Sequence, residues 1–208
     1  GIRDAQESRG LGDVYKRQVW INLFDGTSLN GWRAYNGDEM PPGWMIIDSV
    51  LTFTTDQIME EDYDYKGSRD IIYGASEFDN FDLYLEWKIP KGGNSGIFYH
   101  LKEGYDGPPE VAPEYQLLDD INYEEVHNYK LKDWQKTGAD YAMYSPDTSE
   151  KILNPIGEWN NEHIFQYGKH DSSEILEFFC CFFFFLLVMC LITYHYGKIH
   201  DKIMIEYN

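Results

Sequence analysis

Between Phe81 and Ile89 every second residue is apolar: Phe81, Leu83, Leu85, Trp87 and Ile89 fall on one side, Asp82, Tyr84, Glu86 and Lys88 on the other. A period of two built from aromatic and aliphatic residues predicts a half-buried strand. Lys91-Gly-Gly-Asn-Ser-Gly96 follows; it cannot sustain a helix and predicts a turn. Further strands are expected over 97–101 and from Pro113 to Asp120. In the latter, Glu114, Gln116 and Leu118 share one face, while Tyr115, Leu117 and Asp119 share the other. A carboxylate beside an amide on one strand face suggests a surface for a polar ligand.

The same pattern continues on both sides. Ile21–Phe24 reads as a short strand, closed by a turn with Asp-Gly chemistry at 25–28. Trp44–Ile47 and Val50–Thr54 read as a hairpin across Asp48-Ser49, and Ser68–Tyr73 as another strand. Downstream, 121–134 has room for one helical turn. Ala139–Tyr144 and 151–155 read as extended, and Gly157–Asn160 opens a further strand. Short strands every 8–12 residues or so, punctuated by Gly, Pro and Asp, predict an all-β jelly-roll sandwich. No amphipathic helix of ordinary length is visible before residue 160.

Three stretches break the pattern. Residues 1–18 have no usable period and are set aside as adapter-like, non-native sequence or a disordered leader. Residues 56–68 are acidic and tyrosine-rich and read as an exposed loop. Asp62, Asp64 and Gly67 do not make a calcium loop there, because Lys66 takes a ligand position and Tyr73 stands where the closing Glu belongs. After Asn160 the composition changes, and Phe178–Ile192 is an unbroken apolar run. It falls short of the ~20 residues that span a bilayer as a helix. Two readings stand: a C-terminal membrane anchor, or a tail over 161–208 of the kind a shifted reading frame produces. The second is favoured, and the domain is expected to occupy 19–160.

Length and charge narrow the class. A chain of 208 residues holds one sizeable domain. A formal charge of -19 with no basic run argues against nucleic acid, which requires clustered Lys and Arg. The acidity itself mostly reports solubility. Cys180, Cys181 and Cys190 all sit in the apolar run, so neither a disulfide framework nor a thiolate metal site can be drawn before it. Residues 1–18 lack the apolar segment of a signal peptide. The 17% aromatic content suits an all-β protein that handles sugars or other flat polar ligands.

A set of motifs in order then carries a resemblance. Leu23-Phe-Asp-Gly-Thr-Ser-Leu-Asn-Gly-Trp32 is similar to the opening of the 3-keto-disaccharide hydrolase domain family. Trp44-Met-Ile-Ile-Asp-Ser-Val-Leu51, Phe81-Asp-Leu-Tyr-Leu-Glu-Trp-Lys88, Gly93-Asn-Ser-Gly-Ile-Phe-Tyr99 and Pro113-Glu-Tyr-Gln-Leu-Leu-Asp119 follow in the family's order. So do Thr137-Gly-Ala-Asp-Tyr141 and Gly157-Glu-Trp-Asn160. The resemblance covers roughly 19–160 and implies a concanavalin A-like lectin/glucanase jelly roll from exported bacterial proteins. Family members continue beyond the Gly-Glu-Trp-Asn segment through an Asn-Gly hairpin and closing strands that are not recognisable here. An incomplete C-terminal edge is therefore expected, as is an exported location, or a membrane-anchored one if 178–192 is an anchor.

The resemblance also implies a substrate class, glycosides oxidised at C3. A C3 ketone acidifies the C2 proton, so a base can remove it and expel the group at C1, after which water adds back. Such a route needs a base, donors for the enolate oxygen and an acid for the leaving group. A bound divalent metal could serve the enolate instead, although His127, His163 and His170 show no metal-binding spacing. Glu114 is the candidate base and His100 a candidate acid, at a point where relatives commonly carry Arg. Gln116, Asn94, Asp119, Asp140 and Tyr141 are candidate substrate-binding residues. Regular alternation would turn Asp119 away from Glu114, and Asn94 sits in the Gly-rich turn. Trp32, Trp44 and Trp87 are expected in the core. The rival class is a non-catalytic carbohydrate-binding module on the same scaffold. An ordinary retaining glycosidase with paired carboxylates on this strand is disfavoured, since position 116 is an amide.

Overall fold

The computed structural model describes residues 20–54, 69–78, 80–149 and 151–166, together with the backbone of 198–207. The described strands are β1 (Trp20–Phe24), β2 (Trp32–Ala34), β3 (Trp44–Ile47), β4 (Val50–Phe53) and β5 (Ile71–Tyr73). They continue with β6 (Phe81–Lys88), β7 (Asn94–Phe98), β8 (Glu114–Leu118), β9 (Asn160–Gln166) and β10 (Lys198–Tyr207). One helical turn, α1 (Tyr123–His127), follows β8. The class is all-β, a jelly-roll sandwich.

The alternation over Phe81–Lys88 makes β6 the middle of the larger sheet, ordered β3-β4-β10-β6-β9 with β1 also paired to β10. Phe81, Leu83, Leu85 and Trp87 are all buried on one face. The β3–β4 hairpin turns at Asp48 and Ser49, whose φ of 51° and 61° fit the left-handed two-residue turn that matches strand twist. Two short antiparallel ladders, β2–β5 and β7–β8, supply the opposing layer. Trp32 and Ile71 from one ladder and Ile97 and Leu117 from the other join Leu51, Leu85 and Trp87 in the main core. On the far side of these ladders, Ile72 and Phe98 pack with Tyr35 and Leu101 in a second, smaller cluster. Trp32, Trp44 and Trp87 lie in the main core as expected. The indole N–H groups of Trp32 and Trp44 donate to the carbonyls of Leu23 and Arg69, each at 2.7 Å.

Three expectations need correction. β7 begins at Asn94, within the glycine-rich stretch, because the turn is already complete: Gly92 takes φ 70° and the Gly93 amide donates to the Pro90 carbonyl. The extended piece expected over 139–144 shrinks to single bridges of Asp140 to Tyr115 and Tyr144, with Ala142 at φ 63° forming a turn. The edge expected to lack closing strands carries β9 and β10 on either side of β6. In β9 the pairing sets Asn160, Glu162 and Ile164 opposite Trp87, Leu85 and Leu83. Two polar residues on the inward face hide that alternation from composition. The segments 1–18, 56–68 and 178–192 lie outside the described residues.

Candidate functional site

β8 is flanked on both sides, and this flanking builds the site. β7 pairs with it in the register Asn94↔Leu118, Gly96↔Gln116 and Phe98↔Glu114. On its other edge the Gln116 amide donates to Ala139 O (3.0 Å), Gly138 N to Gln116 O (2.9 Å) and Tyr141 N to Glu114 O (2.8 Å). Opposite residues of an antiparallel pair share a face. Glu114, Gln116, Asn94 and Tyr141 therefore lie together, and Tyr141 stands directly beside Glu114. The structure thus brings four of the seven candidate residues onto one surface.

Gly96 decides where the carboxylate of Glu114 lies. A Cβ on Gly96 would stand 2.0 Å from Glu114 Oε1 and 2.7 Å from its Cδ, so the acid folds across β7 through space that only glycine leaves open. Beside it, Gln116 is 3% exposed. Its Nε2 donates to the Gln135 carbonyl (3.3 Å), while its Oε1 and the Oδ1 of Asn94 are buried without a donor among the described residues. Buried carbonyl oxygens without donors are uncommon, and hydroxyl groups of a bound sugar are suitable donors for them. Tyr141 packs edge-on against Trp134, with ring centroids 5.3 Å apart. Its oxygen accepts from Gln135 Nε2 at 3.2 Å.

The other face of the same strands carries a different set. The Asp140–Tyr115 bridge turns Asp140 away from Tyr141, where it meets the Tyr99 hydroxyl. Burial raises the Asp140 carboxyl above the usual range, and the Tyr99 hydrogen bond offsets this in part. Burial, with Asp140 alongside, pushes the Tyr99 phenol up to about 12. Tyr115 donates to Glu162 of β9. Burial raises that carboxyl too, opposed by Tyr115 and by the charges of Lys151 and His163. A raised carboxyl is protonated in the folded chain while still ionised in the unfolded one. Stability therefore falls as pH climbs from the ordinary glutamate range through the raised value, then levels off. Glu162→Gln retains an acceptor for Tyr115 and removes that titration. Urea unfolding against pH is expected to show a flatter loss above the ordinary glutamate range, with Asp140 supplying the remainder.

His100 and Asp119 sit just beyond the ends of β7 and β8. His100 takes φ 56° just beyond β7. Its ring meets those of Tyr99 (5.5 Å) and Phe81 (6.5 Å). Asp119 is buried. One of its oxygens accepts from Gly92 N (2.8 Å), the other from Ile121 N, Asn122 N and Asn122 Nδ2 at 3.1–3.2 Å. It ties the end of β8 to the turn before β7. Asp119→Ala strands those donors and is expected to cost about 2–3 kcal/mol of stability. The rate per folded molecule should be unchanged, as measured by denaturant unfolding beside an assay of the folded fraction.

Gln135 and Glu162 were not among the residues singled out by sequence. Gln135 lies in an irregular stretch with no period to expose it. Glu162 could have been found by carrying the alternation of β6 across to Ile164. No group of three or more His, Cys, Asp or Glu among the described residues is arranged to hold a metal. No helix among them is long and apolar enough to cross a membrane. A shallow depression lined by Trp87, Leu118, Asp120, Leu153 and Asn160 lies elsewhere, and of the seven candidates it includes Asp119 alone.

Comparison with known proteins places the chain in a family. A 3-keto-disaccharide hydrolase of Bacteroides thetaiotaomicron is 38% identical over 159 residues, covering 71% of this chain and 52% of its own length. The chain thus spans about half of that relative. The crystal structure of a presumed glycosyl hydrolase from Parabacteroides distasonis matches with a TM-score of 0.61 at 39% identity, over 73% of this chain and 66% of that one. Another from the same organism matches at 0.59 and 21% identity, over 91% of this chain and 100% of the other, and at that identity it speaks to the fold alone. The profile of the 3-keto-alpha-glucoside-1,2-lyase-like domain matches residues 19–196. The chain belongs to the 3-keto-alpha-glucoside-1,2-lyase-like domain family.

Proposed function

We infer that the domain cleaves glycosides whose sugar carries a ketone at C3, with Glu114 as the base. The observation that carries this reading is the Glu114 carboxylate folded over Gly96, on one face with the amides of Gln116 and Asn94. A carboxylate is a competent base only where the proton has been acidified. The ketone does that to the C2 hydrogen, and Gln116 and Asn94 offer acceptors for ring hydroxyls. Glu114 takes the C2 proton, and the electron pair passes into an enolate at the C3 oxygen. Its return forms the C1–C2 double bond and breaks the bond to the aglycone oxygen, which takes up a proton. Water then adds at C1 and a proton returns to C2, so the net change is hydrolysis. The family and the name of the Bacteroides relative support the same substrate class.

The test compares a 3-keto-glucoside with its 3-hydroxy parent, following aglycone release. Release from the ketone alone is expected. Equal cleavage of both would point to direct displacement at C1. Tight binding of both without release would point to a carbohydrate-binding module.

A further inference from the structure

Gln135 is buried, and its amide orientation is set by its neighbours rather than by choice. The backbone N–H of Lys132 lies 3.1 Å from Gln135 Oε1. A backbone N–H can only donate, so the atom it meets must be the oxygen. The Tyr129 hydroxyl donates to the same oxygen at 3.1 Å. The other terminal atom is therefore the nitrogen, which carries only protons, and it faces the Tyr141 oxygen at 3.2 Å. Tyr141 has to accept at that contact. Its own O–H proton is directed elsewhere, and Tyr141 stands beside Glu114 on the candidate face. A phenol that accepts one hydrogen bond also becomes a better donor through its remaining proton.

Building on the keto-glycoside reading, we propose that Tyr141 is a catalytic residue that donates its hydroxyl proton in a hydrogen bond to the C3 oxygen as the enolate forms, and that Gln135 is the positioning residue that fixes the direction of that donor. Glu114 removes the C2 proton while negative charge builds on the C3 oxygen. The electron pair stays on the substrate and Tyr141 keeps its proton, sharing it as the charge grows. A preset donor aimed at developing charge acts on kcat far more than on ground-state binding. The Trp134 ring, edge-on to Tyr141, limits how far the phenol can swing.

Three variants and two readouts test this. Tyr141→Phe is expected to lower kcat by about 10²–10³-fold, with KM changed less than about threefold. Gln135→Glu keeps the shape but gives Tyr141 an acceptor, drawing its proton inward. Gln135→Met removes the contact and leaves the proton free. The expected order of kcat is therefore wild type, then Gln135→Met, then Gln135→Glu. A purely structural role for Gln135 gives the reverse order for the two variants, since Met loses the whole network. The second readout is the 13Cζ resonance of Tyr141, which moves downfield when the phenol donates to a carboxylate, and it needs no turnover. A downfield shift in Gln135→Glu but not in Gln135→Met is expected. An unshifted resonance in Gln135→Glu overturns the hydrogen-bond assignment. A Tyr141→Phe kcat within about threefold of wild type overturns the catalytic role. Absence of keto-glycoside cleavage by the wild type overturns the underlying reading and the catalytic role with it, while the resonance still decides the polarity.

Discussion

Glu114→Gln is expected to lower kcat on a 3-keto-glycoside by about 10²–10⁴-fold, the range a positioned general base supplies. The substitution keeps size and shape but replaces a charged, proton-accepting carboxylate with a neutral amide that cannot take the proton. Glu114 is half-buried on β8, and its backbone bonds to Tyr141 and β7 do not involve the side chain. Stability should therefore move by less than about 1 kcal/mol. KM should stay within about threefold, since an amide still fits between the same neighbours. Steady-state kinetics beside a denaturant titration would separate the two effects. A loss of activity that tracked a loss of folded protein would remove Glu114 from the chemistry.

Gly96→Ala also has a large expected effect, and it acts without touching a reactive group. Gly96 lies inside β7, outside the left-handed region that only glycine tolerates. An alanine backbone therefore suits the position, and a shorter menu of unfolded conformations favours it by about 0.4–1 kcal/mol. Against this stands the new methyl group, 2.0 Å from Glu114 Oε1. The nearest obstacle is the end of a flexible side chain rather than backbone, so the carboxylate swings away and the strand stays closed. A displacement of about 1 Å at a reacting group costs on the order of 10²-fold in rate. The expected result is a folded protein with stability within about 1 kcal/mol of wild type and kcat down by about 10²-fold. Adding Gly96→Ala to Glu114→Gln should cost nothing further, because both act through one group. Additive losses would mean that Gly96 serves something other than Glu114.

The strands and the face that bears Glu114 were legible in sequence because a period of two survives wherever one side meets a core. Phe81 to Trp87 and Glu114 to Leu118 both read directly, and the register set Glu114 and Gln116 together as the alternation implied. Asn94 was less legible. Three small residues in a row look like a turn, yet Gly96 is small because a carboxylate crosses it. Tyr141 and Asp140 were named together, and neighbouring positions on an extended segment necessarily point to opposite faces. Which one joined Glu114 depended on the pairing of 138–141 with β8, a contact no local pattern encodes. Gln135 was hidden for a related reason, since its role rests on three hydrogen bonds made from an irregular turn. β9 escaped notice because Asn160 and Glu162 face inward, and polar residues on a core face erase the signal that marks a strand.

Proton exchange at C2 tests the role of Glu114 most directly. A 3-keto-glucoside would be turned over in deuterium oxide and the released 3-keto sugar examined by proton NMR, with an enzyme-free control for spontaneous exchange. One deuterium at C2 in every product molecule is expected from the wild type, with cleavage and exchange both slowed by about 10²–10⁴-fold in Glu114→Gln. Product that keeps its original C2 hydrogen would contradict proton abstraction and leave direct displacement at C1 in its place.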